Sequence, residues 1–161
     1  MGRSIGLERP VTIVDMTARK LIGLRSRATA QTVSKSMLAT LTRVWEVIRK
    51  DNLKTLGLNV AIYYTPEQGA PSPSDFGFVA GVLVDGDIGQ AAGLEVLETP
   101  TGAFAHAELM GDYGLIPEVH RQIRDWCQAN GKRLAGVNLE IYGHWTGDQS
   151  QARTDVYYLL G

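Results

Sequence analysis

The chain has 161 residues, 44% of them hydrophobic and 20% charged, and its 16 basic and 17 acidic side chains leave a net charge of −1. That length makes one ordinary domain able to bury roughly 70% of its unfolded surface, so folding needs no metal or disulfide. The charge balance argues against direct nucleic-acid binding and against a polybasic membrane patch, and the single cysteine, Cys127, excludes an internal disulfide and a multi-cysteine zinc site.

No apolar run approaches the ~20 residues that span a bilayer. The opening stretch from Met1 to Gly6 lacks the apolar segment of a secretory signal, so a cytoplasmic protein is expected.

Strands are expected over 11–15 and 20–27. The second carries Lys20, Arg25 and Arg27 after Arg19 and reads as a solvated sheet edge. From about Thr32 to Lys50, Met37, Leu38, Leu41, Val44, Trp45 and Ile48 recur at three- and four-residue spacings, the apolar stripe of an amphipathic helix that Thr32 or Ser34 would cap. Strands over 58–65 and 76–84 flank a proline-rich loop at 66–74, and Gly86, Gly89 and Gly93 break the chain near its midpoint. No lysine–threonine pair follows Gly86 to Gly89, so this is no phosphate loop.

Strands over 94–98 and 103–110 come next. A second helix, from about Ile116 to Ala129, places Ile116, Val119, Ile123, Trp126 and Cys127 on one face. Pro117 suits its first turn and Asn130-Gly131 stops it. Cys127 falls on that stripe as an inert core residue. Strands over 139–145 and 155–160 close the chain.

The element order repeats. At an offset of 79, Leu56-Gly57-Leu58-Asn59-Val60-Ala61-Ile62-Tyr63 lies over Ala135-Gly136-Val137-Asn138-Leu139-Glu140-Ile141-Tyr142, with Gly, Asn, Ile and Tyr coinciding. Trp45 and Trp126 occupy nearly the same place in the two helices. The expected fold is therefore α+β: one domain over 1–161, built from tandem β-α-β-β units at about 8–86 and 93–161. One unit alone is too small to close a core. Paired, the two would form one antiparallel sheet with both helices on one face and a ligand groove on the other.

Strand alternation puts Leu139 and Ile141 on one face and Glu140, Tyr142 and His144 on the other. With the helices expected on the Leu139/Ile141 face, Glu140 and Tyr142 would line the groove opposite Ala61 and Tyr63. A lone carboxylate among aromatic rings suits an apolar cation, the rings contributing about 0.5–2 kcal/mol of cation–π attraction. Burial is expected to raise the Glu140 pKa and so make it a candidate general base toward water. His106, His120 and His144 fall on different elements without zinc-ligand spacing, so no metal is expected and their roles read as structural or superficial, His144 alone nearing the groove rim.

Three stretches resemble the GyrI-like small-molecule-binding domain, also the effector-binding domain of AraC- and MerR-type transcription regulators. Leu109-Met110-Gly111-Asp112-Tyr113-Gly114-Leu115-Ile116-Pro117 is similar to the family's turn before the second helix. Gly136 to Tyr142 is similar to its Gly-x-x-x-Glu-x-Tyr strand, and Arg153 to Leu160 to its closing strand. Asp75-Phe76-Gly77-Phe78 fits the corresponding segment of the first half. The chain departs from the pattern at Asp112, at Asp155 and at Leu160-Gly161, where proline, glutamate and proline are usual.

The resemblance implies that Glu140 is the groove carboxylate and that Tyr113, Tyr142, Tyr157, Tyr63 and, less directly, Trp145 clamp a ligand. It implies binding of hydrophobic or cationic aromatic molecules, without a cofactor. The alternatives are hydrolysis of strained cyclopropane-type toxins, with Glu140 as the catalytic group activating water, or an interaction with a protein such as DNA gyrase. No helix-turn-helix is expected before the first strand.

Overall fold

The computed structural model describes residues 11–65, 75–86, 93–144 and 147–161. The expected loop at 66–74, most of the midpoint break and Trp145 lie outside them. Eight strands and two helices follow in the order β1 (Thr12–Met16), β2 (Lys20–Ala28), α1 (Val33–Lys50), β3 (Asn59–Tyr64), β4 (Phe76–Leu83), β5 (Glu95–Glu98), β6 (Gly102–Met110), α2 (Ile116–Ala129), β7 (Leu134–Tyr142) and β8 (Arg153–Leu160). The element order repeats as expected, each unit carrying one more strand than the β-α-β-β pattern: β1-β2-α1-β3-β4, then β5-β6-α2-β7-β8.

The strands form a single antiparallel sheet in the order β1-β6-β8-β7-β3-β4-β2-β5. The central strands β3 and β7 pair with Ala61 directly opposite Glu140. Those residues are equivalents in the repeat, so the pseudo-twofold axis passes through this pair. At the margins the units exchange strands. β1 of the first pairs with β6 of the second, and β5 of the second pairs with β2 of the first.

This exchange dictates the curvature. β1 and β2 stand six places apart in the sheet, about 29 Å if it were flat at ~4.8 Å per strand, yet only residues 17–19 join them. Four peptide steps reach at most about 14 Å. The same holds for β5 and β6, joined by residues 99–101. The sheet must therefore curl until its two margins approach. The two links cross and bond to each other, Thr99 N donating to the Arg19 carbonyl (2.9 Å) and the Arg19 and Ala18 amides donating to the Thr99 and Thr101 hydroxyls (2.9 and 3.0 Å).

Curling fills the concave face with its own side chains. Leu21, Val60, Ile62, Val79, Leu83, Phe104, Leu139 and Ile141 form one core there, with Met16, Leu97 and Tyr157 against it. The helices cover the convex face. α1 packs through Met37, Val44 and Ile48 on Ala28, Ala61, Ala80, Ile22 and Val82, and α2 packs through Val119, Ile123 and Cys127 on Ala105, Ala107 and Val156. This corrects one expectation. Leu139 and Ile141 face the interior of the curl, while Glu140, Tyr142, Ala61 and Tyr63 lie on the helix side. A sheet bent this far has no open concave groove.

The helix boundaries follow local rules. α1 begins one residue after Thr32, whose hydroxyl bonds the Thr29 amide (2.9 Å) and not the helix itself. Before α2, the Asp112 carboxylate accepts from Gly114 N (2.8 Å) in a short 3-10 turn, and Pro117 sits in the first helical turn. Gly131 ends α2 in the left-handed region (φ 66) while Lys132 N reaches back to the Cys127 carbonyl. β7 starts five residues before the expected 139, because a bulge between Leu134 and Asn138, with Gly136 at φ 83, breaks the alternation there. β2 is not a free edge: β5 covers its residues 20–23, and Arg25 and Arg27 pair with Glu95 and Asp75.

Gly23 and Gly81 face each other across β2 and β4. A Cβ on Gly23 would lie 2.4 Å from the Ala80 carbonyl oxygen, and one on Gly81 2.2 Å from that of Ile22. The obstruction is backbone, which no rotamer change relieves. Gly23→Ala and Gly81→Ala should each destabilise the protein by about 2–3 kcal/mol, the upper range for overpacking, lowering the melting temperature by roughly 4–12 °C. Thermal unfolding followed by circular dichroism checks this; an unchanged midpoint would contradict it.

Candidate functional site

Glu140 is an acidic side chain on the convex face of the sheet, where α1 and α2 diverge above β3 and β7. It is 5% exposed. A charge removed from water this far persists only if hydrogen bonds replace its hydration. Three do. Tyr63 donates its hydroxyl to Oε1 (3.2 Å), Tyr142 donates to the same oxygen, and His120 Nε2–H donates to Oε2 (2.5 Å).

The two tyrosines are repeat equivalents, each two residues beyond the axis pair, so the symmetry of the sheet brings both hydroxyls to one oxygen. Ala61 opposite leaves the room. A second carboxylate there would set like charges on directly facing residues, which is unfavourable.

The histidine opens a longer chain. His120 Nδ1 lies 2.6 Å from the Tyr158 hydroxyl, which also accepts from Arg124 Nη1 (3.2 Å). His120 and Arg124 stand one turn apart on α2, on its cavity-facing side.

The electrostatics follow from these contacts. Burial works against ionised Glu140, but the hydrogen bond and charge of His120, with the bonds from Tyr142 and Tyr63, outweigh it and hold the carboxyl below the usual glutamate range. The expected rise is thus reversed, because the donors converge on the carboxylate. Burial and then the Glu140 charge push the Tyr63 and Tyr142 phenols far up. Burial first, opposed by Arg124, puts Tyr158 at about 12. All three phenols remain protonated donors at neutral pH.

Around this network lies a cavity of about 620 Å³ between the helices. Ala30, Val33, Ser34 and Met37 wall it from the α1 side, and Gly114, Ile116, Pro117, His120 and Arg124 from the α2 side. Its floor carries Tyr63, Thr65, Phe76, Asn138, Glu140, Tyr142 and Tyr158. Tyr113 stands at the rim, edge-on to Tyr142 with centroids 6.2 Å apart. Phe76 meets Tyr63 edge-on at 6.3 Å. The surroundings of the carboxylate are aromatic on several sides.

Of the residues singled out from sequence, the structure brings Glu140, Tyr142, Tyr63 and Tyr113 together. Tyr157 it does not. Its ring lies on the concave face, stacked on His106 at 4.6 Å and edge-on to Phe104, and its neighbour Tyr158 reaches the cavity instead. With a side-chain period of two, a one-residue difference decides the face.

His120, expected to be structural or superficial, instead bonds Glu140 from the cavity wall, and Arg124 stands one turn along beside it. Their signal was faint: with Ile116 they form an i, i+4, i+8 row bordering the apolar stripe of α2. His106 pairs with Asp155 (2.8 Å), which Arg153 also holds, and His144 is exposed. Among the described residues no cluster of His, Cys, Asp and Glu is arranged to hold a metal, and no helix is long and apolar enough to cross a membrane. Cys127 is buried, and that burial pushes its thiol up.

Comparison with known proteins agrees with this architecture. The structure of SAV2435 bound to tetraphenylphosphonium superposes with a TM-score of 0.69 at 10% identity, over 95% of this chain and 94% of that one. The EcmrR C-terminal domain gives 0.70 at 13% identity, over 94% and 96%. An integron cassette protein of Vibrio cholerae gives 0.58 at 14%, over 95% and 97%. At such identities the likeness is one of fold. No curated protein matches the sequence. The family model described as Cass2, integron-associated effector binding protein, matches residues 12–158. Spanned by that match over nearly its whole length, the chain belongs to the Cass2 family of integron-associated effector-binding proteins.

Proposed function

We propose that the chain binds a small hydrophobic molecule carrying positive charge in the cavity between α1 and α2, with Glu140 as the counter-charge. The observation that carries this is a buried carboxylate held in its ionised form at the floor of an aromatic cavity. Aromatic faces attract a cation and supply apolar area, and a buried carboxylate acts at a low effective dielectric. That SAV2435 was solved with tetraphenylphosphonium bound supports the reading.

Hydrolysis is the weaker alternative. His120 beside Glu140 makes a dyad, and a Listeria innocua protein of the same fold is called a hydrolase. Yet a carboxyl held below its ordinary range, with three donors already upon it, is a poor base toward water.

Calorimetric titration with tetraphenylphosphonium should show saturable binding of one molecule per chain. Glu140→Gln should weaken it by at least about 30-fold, the low end of the ~2–5 kcal/mol cost of removing one partner of a buried charge pair. Absence of saturable heat in the wild type would overturn the reading.

Acid stability tests the charge state. The folded value of Glu140 lies below the unfolded reference of 4.5. Its ionised form therefore contributes stability above about pH 4.5, and that contribution is lost as pH falls through the folded value. The melting temperature of the wild type should fall steeply below pH 4.5. In Glu140→Gln that acid limb should be shallower, the remainder reflecting Asp155, which burial opposes but His106 and Arg153 hold low. Parallel acid limbs would contradict this.

A further inference from the structure

The polar groups of the cavity are not evenly supplied with partners. Glu140 already accepts from Tyr63, Tyr142 and His120, and a carboxylate has about four acceptor positions in all. Arg124 is the reverse. Its guanidinium carries five N–H donors, yet its hydrogen bond to a described residue is the one to the neutral Tyr158 hydroxyl. No carboxylate among the described residues lies within ion-pair distance of it.

The contrast on the same helix is direct. Arg121, exposed on the outer side of α2, pairs with both Glu118 and Asp125, whereas Arg124 is half-buried on the cavity wall with neither. A partly desolvated cation without a counter-ion is unfavourable, and a planar donor fork is suited to a carboxylate or phosphate. On the floor the imbalance is the opposite. Asn138, 2% exposed and two residues from Glu140, has a side-chain carbonyl without a hydrogen-bond partner among the described residues.

The cavity thus has two poles. Glu140 on the floor favours a cationic donor; Arg124 on the wall favours an anionic acceptor. Three hydrogen bonds and one imidazole ring connect Glu140 to Arg124, so the poles are at most about 11 Å apart. We propose that the ligand class is amphoteric: an aromatic molecule with a cationic, N–H-bearing end at Glu140 and a carboxylate or comparable anion at Arg124. This rests on the cavity being a small-molecule site and adds a second charge to its specificity, with Arg124 as the discriminating residue.

Rhodamine 123 and rhodamine 110 form a matched probe pair. Both are xanthylium cations with amino groups. The first is a methyl ester and purely cationic; the second is its free acid and zwitterionic at neutral pH. Fluorescence anisotropy at pH 7.5 should show the wild type binding rhodamine 110 at least about tenfold tighter than rhodamine 123, as expected for a charge-assisted pair at a partly buried site. Arg124→Gln should abolish the preference by weakening the free acid about tenfold while changing the ester by less than about threefold. Arg124→Lys, which keeps the charge, should retain most of it and separates lost charge from lost packing.

Equal binding of the two dyes by the wild type, preference for the ester, or equal weakening of both by Arg124→Gln would overturn the amphoteric assignment alone. Binding of neither dye would overturn the assignment as well; saturable tetraphenylphosphonium binding then leaves the small-molecule reading standing, and its absence overturns that reading too. Should Arg124→Gln fail to fold, the wild-type dye ratio and Arg124→Lys decide the matter.

Discussion

Two links of three residues govern this molecule. Each joins strands that stand six places apart in the sheet order, and so short a tether permits no flat arrangement. Once the sheet is bent to satisfy them, its concave face has neighbours on every side and closes on itself as a core of branched and aromatic side chains. The helices are left with the convex face. There they pack over small residues, Ala61, Ala80, Ala105 and Ala107, which let helix and sheet approach closely. The cavity exists where α1 and α2 part above the two central strands, so its position follows from the connectivity and not from any residue that lines it.

The same curvature explains how a carboxylate comes to be buried there. Glu140 sits on a central strand, at the pair through which the pseudo-twofold axis runs. A position on the axis receives equivalent groups from both halves, and Tyr63 and Tyr142 arrive together at one oxygen. The symmetry is then broken twice. Ala61 stands where a second acid would repel the first, and α2 contributes His120 and Arg124 while α1 offers Val33, Ser34 and Met37 on the opposite wall. One side of the cavity is therefore polar and the other nearly apolar.

Much of the fold was legible in the residues. Both helices read clearly because their apolar stripes are long and the Asn130-Gly131 stop is strong, and the internal repeat exposed the pairing of two units. What escaped was the choice of face. β3, β4 and β7 bury both of their faces, so alternation identifies two sets of residues without saying which set the helices cover; that depends on the short links, a non-local constraint. Tyr157, implied by the resemblance, falls on the concave face while its neighbour Tyr158 reaches the cavity, because a one-residue step along a strand changes face. His120 reads as superficial and Arg124 as unremarkable because a polar residue beside an apolar stripe ordinarily marks the solvent boundary, and only the gap between the helices turns that boundary inward.

Ala61 has a bearing on stoichiometry and pose. A receptacle with true twofold symmetry would accept a guest in two equivalent orientations, or two half-sized guests related by the axis. Substituting a methyl group for one of the two axial acids removes that degeneracy at the cost of a single side chain. The duplicated frame keeps the enclosure of two halves, yet it presents one electrostatic direction to whatever enters, so an unsymmetrical guest has one favoured way to lie.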